Sequence, residues 1–305
     1  FCHVSPDGDT LGSALALKLR LTAMGKSVRL LVDGEVPSNL AFLSRMGAVE
    51  GPEAAADVAD LALAVDVSCK ERLGACAPAF LAAARTAVVD HHSSNHGFAQ
   101  INWVDGDAPA TAVLVYRLLE AMGGALSREE AVCLYTGLST DTGNFIYEST
   151  SAESFRMMAA LMEAGLPLAE YARRLFRVKE LPFVRLLGET LPSLHLICEG
   201  KVAGITLTAA QMRQAGAKAG HTDGLVDYAI DLEGVAMAYF ARETEDGRVK
   251  VSLRALEPWR VDQVAERFGG GGHRLASGLT LAMPLAEVVR VVEGALTEAL
   301  GSVNA

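Results

Sequence analysis

The sequence predicts an α/β protein: an N-terminal domain on a parallel sheet, a smaller α+β C-terminal domain, and a cleft between them. Three observations lead there. Short apolar runs at Leu61–Val67 and Thr86–Asp90 alternate with helical stretches, the pattern of a buried parallel sheet. Those runs end in Asp66 and in Asp90-His91-His92, at the strand C-termini where the crevice of such a sheet lies. From about Ser193 the texture changes to hairpin-like strands.

Phe1 and Cys2 read as the tail of a first strand, so residues upstream of Phe1 are expected to belong to an N-terminally truncated domain. Pro6 and Gly8 force a turn, and Thr10 can cap the helix predicted over Leu11–Met24, whose Leu15, Leu19 and Ala23 share one face. A second strand is expected at Val28–Asp33, and an Ala-rich helix at Ala77–Arg85. Ala110–Met122 and Ser127–Leu138 follow as helices, the latter opened by a Ser127/Glu130 capping box. A polar tip, Gly137 to Phe145, comes next; helices at Ser154–Ala164 and Leu168–Phe176 complete a domain over 1–177. A helical linker spans 178–192. The second domain, 193–305, pairs Leu194–Cys198 with Val202–Thr208 around Glu199-Gly200-Lys201. It pairs Val235–Arg242 with Val249–Ala255 around Glu245-Asp246-Gly247, and adds helices at Val261–Phe268 and Leu285–Leu300.

Composition narrows the function. Half of the 305 residues are apolar, enough for a sizeable core, and the net charge is −10. That charge, without a basic stripe, argues against a protein that tracks long duplex nucleic acid, yet suits a small anionic substrate held through metal ions. Five scattered cysteines with no zinc-finger spacing point to free thiols in a reducing cytoplasm. No window approaches a membrane span, and no signal peptide is visible. A monomer and a homodimer both fit the sequence.

Four separated tips supply His3, Asp7 and Asp9; Asp66; Asp90, His91 and His92; and Asp141. Asp and Gly are ordinary turn residues, and Asp9 or Asp141 alone would serve as a helix cap. The recurrence is what matters: three of only seven histidines sit on predicted strand tips beside acids. Two divalent cations about 3.5–4 Å apart need a bridging carboxylate and several terminal ligands, which this inventory can fill. Mixed imidazole and carboxylate donors favour Mn²⁺, with Mg²⁺ possible.

The His-x-x-x-Asp-x-Asp tip, the lone Asp66 after an apolar strand, Asp90-His91-His92 and Thr140-Asp141-Thr142-Gly143-Asn144-Phe145 resemble the four motifs of the DHH phosphoesterase superfamily. Phe268-Gly269-Gly270-Gly271-Gly272-His273 followed by Ala276-Ser277-Gly278 resembles the signature of the DHH-associated domain. The match covers nearly the whole chain, in order, and its layout is most similar to the nanoRNase branch. The resemblance implies that His3, Asp7 and Asp66 hold one metal and that Asp9, Asp66, His91 and Asp141 hold the other, with Asp66 bridging. Catalytic roles fall to Asp66, to Asp90 as the orienter of a ligand histidine, and to His92 as a ligand, a positioning donor or a proton source. Asn144, Arg254, Gly270, Gly271, Gly272 and His273 become substrate-binding candidates, with Asp223 and Gly224 near the cleft. The family usually has Ser after this Arg, whereas this chain has Ala255, which puts one phosphate contact in doubt.

The expected activity is two-metal hydrolysis of short oligoribonucleotides, two to five nucleotides long, and of 3′-phosphoadenosine 5′-phosphate. The partners would be short single-stranded RNA or DNA, or a nucleotide bisphosphate. The four-glycine run would act as a phosphate-binding loop, its backbone amides open to close approach. Competing readings are a RecJ-like exonuclease, a cyclic- or linear-dinucleotide phosphodiesterase, a family II pyrophosphatase and a non-catalytic nucleotide sensor. The length lacks room for RecJ's added nucleic-acid domain, and the pyrophosphatase second lobe carries a basic Arg-Lys motif. A sensor would be missing metal ligands, and none of the expected ones is absent.

Overall fold

A computed structural model describes residues 1–55 and 58–302. The chain divides into two compact units, Phe1–Val178 and Lys179–Ala305. The first begins with helix α1 (Gly8–Ala23) and continues through β1 (Ala62–Val65), α2 (Ala77–Ala82), β2 (Thr86–Asp90) and β3 (Ile101–Val104). Four helices complete it: α3 (Thr111–Met122), α4 (Arg128–Asp141), α5 (Ala152–Glu163) and α6 (Leu168–Ala172).

The sheet is parallel throughout, in the order β1-β2-β3, with Val65 opposite Val89 and Asp90 opposite Val104. Every residue of β2 is buried, which explains its unbroken apolar run. The extended segment at Phe1 and Cys2 lies beside β1: the Val65 amide donates to the Phe1 carbonyl (3.0 Å) and the Cys2 amide to Leu31 (3.1 Å). The strand expected at Val28–Asp33 is reduced to one bridge, Leu31 with Glu50. Its ladder is too short to count as a strand, although the chain there is extended. β3 was not anticipated; two of its four residues are exposed, so it lacks the apolar signal.

Helix α1 starts three residues earlier than the apolar period suggests. Asp7, not Thr10, is its N-cap: the Asp7 carboxylate accepts from the Asp9 and Thr10 amides, both at 3.1 Å. Thr10 instead donates its hydroxyl to the Val65 carbonyl (2.8 Å), tying α1 to the end of β1. The core of the unit is α1 packed on α3 and α4 through Leu11, Leu15, Leu114, Leu119, Leu134 and Leu138, all fully buried. Glycine makes the α1–α4 approach this close: a Cβ on Gly12 would collide with the Cys133 carbonyl.

The second unit begins with α7 (Leu181–Thr190), followed by β4 (His195–Ile197), β5 (Val202–Leu207), α8 (Ala209–Gln214) and α9 (Asp227–Ile230). Then come β6 (Met237–Glu243), β7 (Val249–Ala255), α10 (Asp262–Glu266), β8 (Gly271–His273), β9 (Ala276–Leu281) and α11 (Leu285–Ser302). Its six-stranded mixed sheet runs β4-β5-β6-β7-β9-β8. The expected glycine loop is a strand: Gly271–His273 forms the sheet edge against β9. At Gly272, with φ +144°, a Cβ would sit 2.7 Å from the Ala276 carbonyl oxygen, so only glycine lets the two backbones close. All five cysteines are free thiols. No described helix is long and apolar enough to cross a membrane.

Candidate metal centre

Backbone features of the first unit bring the predicted ligands together. The turn before α1 presents His3 and Asp7, and the first turn of α1 presents Asp9; the ends of β1 and β2 present Asp66 and the Asp90-His91-His92 run; the last residue of α4 is Asp141. The ligand atoms fall into three overlapping groups, His3–Asp7–Asp66, Asp66–His91–His92 and Asp9–His91–Asp141, each within 4.8 Å. Asp66 joins the first two groups and His91 joins the last two.

Asp66 is the hub. Its Oδ2 faces His3 Nε2 at 3.7 Å, while Oδ1 faces His91 Nε2 and His92 Nδ1, both at 3.6 Å. Asp7 Oδ2 lies 3.5 Å from His3 Nε2, and Asp141 Oδ2 lies 3.1 Å from His91 Nε2. Asp66 holds this position with φ +60°, a left-handed conformation unusual for aspartate. Its amide bonds Val89 O (2.9 Å), and the Thr111 hydroxyl donates to its Oδ1 (2.9 Å). A residue so constrained at a strand end is a common mark of a working site.

The rings are oriented by their far nitrogens. His3 Nδ1 lies 2.7 Å from the Val4 carbonyl and His91 Nδ1 lies 3.2 Å from the Ala108 carbonyl. A carbonyl can only accept, so each Nδ1 bears the hydrogen and Nε2 is turned to the carboxylates, the second-sphere arrangement of metal-ligating histidines. Asp90, expected to orient a ligand histidine, bonds His92, itself a candidate ligand, at 2.7 Å to Nδ1, and is fixed by the Asn95 side-chain amide at 2.7 Å.

Asp9 is wholly buried and accepts three hydrogen bonds: Ser13 Oγ (2.9 Å) and the Ala112 amide (2.9 Å) on Oδ1, and the Thr111 amide (2.6 Å) on Oδ2. Thr111 therefore grips two ligands at once, one by its amide and one by its hydroxyl. Together with Asn95 and the Ala108 carbonyl it was missed by sequence reasoning. Thr111 stands 45 residues from Asp66 and 102 from Asp9, so no local spacing betrays it.

The electrostatics are those of a site built for cations. Burial, then the charges of Asp141 and Asp66, push the Asp9 carboxyl well above its ordinary range. Burial likewise raises Asp141. Burial opposes charge on His3, yet the Asp66 and Asp7 carboxylates outweigh it and hold the ring up at about 10. His91 is held up at about 10 in the same way, burial being overcome by Asp141 and Asp9. Carboxylates packed against each other and against imidazoles fit divalent cations in both donor type and spacing. These residues are able to hold a divalent metal.

The remaining candidates lie elsewhere. Asn144, with φ +57°, sits in the exposed turn after Asp141, its amide on the Ser139 carbonyl at 2.6 Å. Arg254, Gly270, Gly271, Gly272 and His273 belong to the second unit. There Arg254 on β7 and His273 on β8 both stand opposite Ala276 on β9, which puts them on one face of the sheet. The Arg254 Nε pairs with Asp227 at 3.3 Å. Asp223 is exposed and Gly224 takes φ +82° in the preceding turn.

Comparison with known proteins agrees with this layout. The DHH family N-terminal domain matches residues 1–138, and the DHHA1 domain matches residues 202–302. The chain is 33% identical to the bifunctional oligoribonuclease and PAP phosphatase NrnA of Thermus thermophilus, over 92% of this chain and 82% of that protein. It is 26% identical to the NrnA of Bacillus subtilis over 92% of this chain and 87% of that one. A crystal structure of an exopolyphosphatase-related protein from Bacteroides fragilis superposes with a TM-score of 0.91 at 28% identity, covering 97% of this chain and 90% of the other.

Proposed function

We infer the function from one premise: this chain belongs to the DHH family, with a DHHA1 domain behind its DHH domain. It is a metal-dependent phosphoesterase. Its reaction is the hydrolysis of short oligoribonucleotides, two to five nucleotides long, to nucleoside monophosphates, together with removal of the 3′-phosphate from 3′-phosphoadenosine 5′-phosphate. The observation that carries this reading is the division of Asp66, whose two oxygens face two different sets of ligands. That is the geometry wanted of a carboxylate shared by two cations. His3, Asp7 and Asp66 would hold one; Asp9, Asp66, His91 and Asp141 would hold the other. The donor set favours Mn²⁺ over Mg²⁺.

When bound, such a pair supplies Lewis acidity to the phosphate and makes water acidic enough to attack near neutral pH. The chain supplies the rest. Thr111, Ser13 and the first amides of α3 fix Asp9 and Asp66, so the carboxylates need no reorganisation during reaction. His92, anchored through Nδ1 to Asp90, keeps Nε2 to give a proton to the departing 3′-oxygen. In the second unit, Arg254 and His273 would bind a phosphate or base of the substrate from the sheet face they share, beside the edge strand that carries Gly271 and Gly272.

The test compares hydrolysis of a diribonucleotide, 3′-phosphoadenosine 5′-phosphate, a cyclic dinucleotide and pyrophosphate in Mn²⁺, with Asp66→Asn as control. Fast turnover of the first two, abolished in the control, is expected. Preference for the ring or for pyrophosphate would overturn the substrate assignment, and an active control would overturn the metal assignment.

A further inference from the structure

The ligand cluster gathers acids and imidazoles, and among the described residues one arginine, Arg72, comes within hydrogen-bond distance of a member of it, His3. Arg72 follows Asp66 by six positions, in a short 3₁₀ segment, Lys70–Cys76, whose Arg72 carbonyl accepts from the Val4 amide at 2.7 Å. That bond fixes the Arg72 backbone beside His3. Its guanidinium Nη2 lies 3.1 Å from His3 Nδ1. The two nitrogens cannot form a productive pair. Nδ1 lies closer, at 2.7 Å, to the Val4 carbonyl, which needs its hydrogen, and the opposite tautomer would turn an N–H rather than a lone pair toward Asp7 and Asp66. With His3 in the tautomer that can hold a cation, Arg72 Nη2 lies on the outer, Nδ1 side of the ring and has no described acceptor there. It makes no ion pair with any described carboxylate, and it is exposed.

Charge gives the missing acceptor its chemistry. Asp7, Asp9, Asp66 and Asp141 together balance two divalent cations, so a substrate phosphate brings negative charge that the ligand set leaves uncompensated. We propose that Arg72 is a phosphate-binding residue of the catalytic unit, donating to a non-bridging oxygen of the phosphoryl group under attack. A planar fork suits such oxygens, and donors of this kind strengthen as charge grows in the transition state. The contact should matter more for a terminal phosphomonoester, with its extra charge, than for a phosphodiester. This inference rests on the metal-dependent reading above.

The experiment uses the whole chain in Mn²⁺ with Arg72→Gln and Arg72→Lys, and follows three readouts. The first is kcat/KM on a diribonucleotide and on 3′-phosphoadenosine 5′-phosphate; the second is inhibition by inorganic phosphate; the third is Mn²⁺ binding by titration of the free-ion electron paramagnetic resonance signal. Arg72→Gln is expected to lower kcat/KM about 100-fold, more on the phosphomonoester, and to weaken phosphate inhibition. Mn²⁺ binding should stay unchanged, and Arg72→Lys should recover part of the loss. Unchanged kcat/KM would overturn the proposal. A parallel fall in Mn²⁺ affinity would overturn it too, because Arg72 would then be acting through His3. Asp66→Asn separates the two levels: if it retains both Mn²⁺ and turnover, the metal reading itself has failed.

Discussion

At the scale of single residues, the candidate metal centre depends on six proposed ligands and on the groups that hold them. His3, Asp7, Asp9, Asp66, His91 and Asp141 lie in short runs at turns and strand ends, where residue type and spacing are local facts. Thr111, Asn95 and the Ala108 carbonyl act across the fold, and a threonine opening a helix looks like any other. Thr111→Val keeps the shape and removes the hydroxyl bonded to Asp66. Loss of an outer partner of this kind costs about 10–100-fold in metal affinity, which Mn²⁺ titration of the variant would measure; Thr111→Ser should restore most of it. Gly137 makes a second residue-level case. A Cβ there would lie 2.6 Å from Asp9 Oδ1 and 2.8 Å from the Ala112 Cβ. Gly137→Ala is expected to displace Asp9 and weaken Mn²⁺ binding while the protein still folds, as circular dichroism would report.

At the scale of elements, α1 and α4 are locked by one buried ion pair. Arg20 Nε meets Glu130 Oε1 at 2.7 Å and Nη2 meets Oε2 at 3.0 Å, while the same guanidinium bonds the carbonyls of Leu119, Gly123 and Ala125. The capping box that Glu130 forms with Ser127 was legible from spacing. Its second role, 110 residues away on α1, was not. Arg20→Met strands a buried carboxylate and should destabilise the unit by about 3–5 kcal/mol in urea unfolding. Burial would raise the Glu130 carboxyl, but Arg20 and the Ser127 amide outweigh it and hold it below the ordinary range. Its stabilising contribution is therefore present above the ordinary carboxylate value and lost as pH falls through the lowered one. Urea midpoints between pH 7 and pH 3 should fall for the wild type more steeply than for a Glu130→Gln variant. Edge strand β8 was hidden for the opposite reason: glycine has no side chain to reveal alternation, so a strand that needs close backbone approach looks like a flexible loop.

For the molecule as a whole, the α/β first part and the change of texture after Ser193 were legible because hydrophobic period and turn chemistry are properties of many residues together. The two tryptophans fall one in each unit, Trp103 on β3 and Trp259 after β7, so each unit has its own fluorescent reporter. In the second unit His195 Nε2 bonds Glu293 at 2.6 Å and the Tyr239 hydroxyl donates to the same oxygen at 2.7 Å. Burial lowers the His195 pKa, yet Glu293 outweighs it and the net shift is upward. The stability this pair contributes is complete below the ordinary histidine value of about 6.5, and is lost as pH rises through the raised value. In a Trp103→Phe background, the melting midpoint seen by Trp259 should fall across that window, and Glu293→Gln should flatten the dependence. An unchanged slope in the Glu293 variant would remove His195 as its source.

The helix cap at Asp7 and the collar around Asp9 have a consequence for how the protein is made. Asp9 leaves the ribosome 132 residues ahead of Asp141, since 141 − 9 = 132. At about 5–20 residues per second, that is a wait of roughly 7–26 seconds. For most of it the acidic turn has no α3 to hold Asp9, and for all of it no completed α4 to supply Asp141. The group Asp9–His91–Asp141 is therefore completed only when the N-terminal unit is nearly finished, whereas His3, Asp7 and Asp66 have all been made long before.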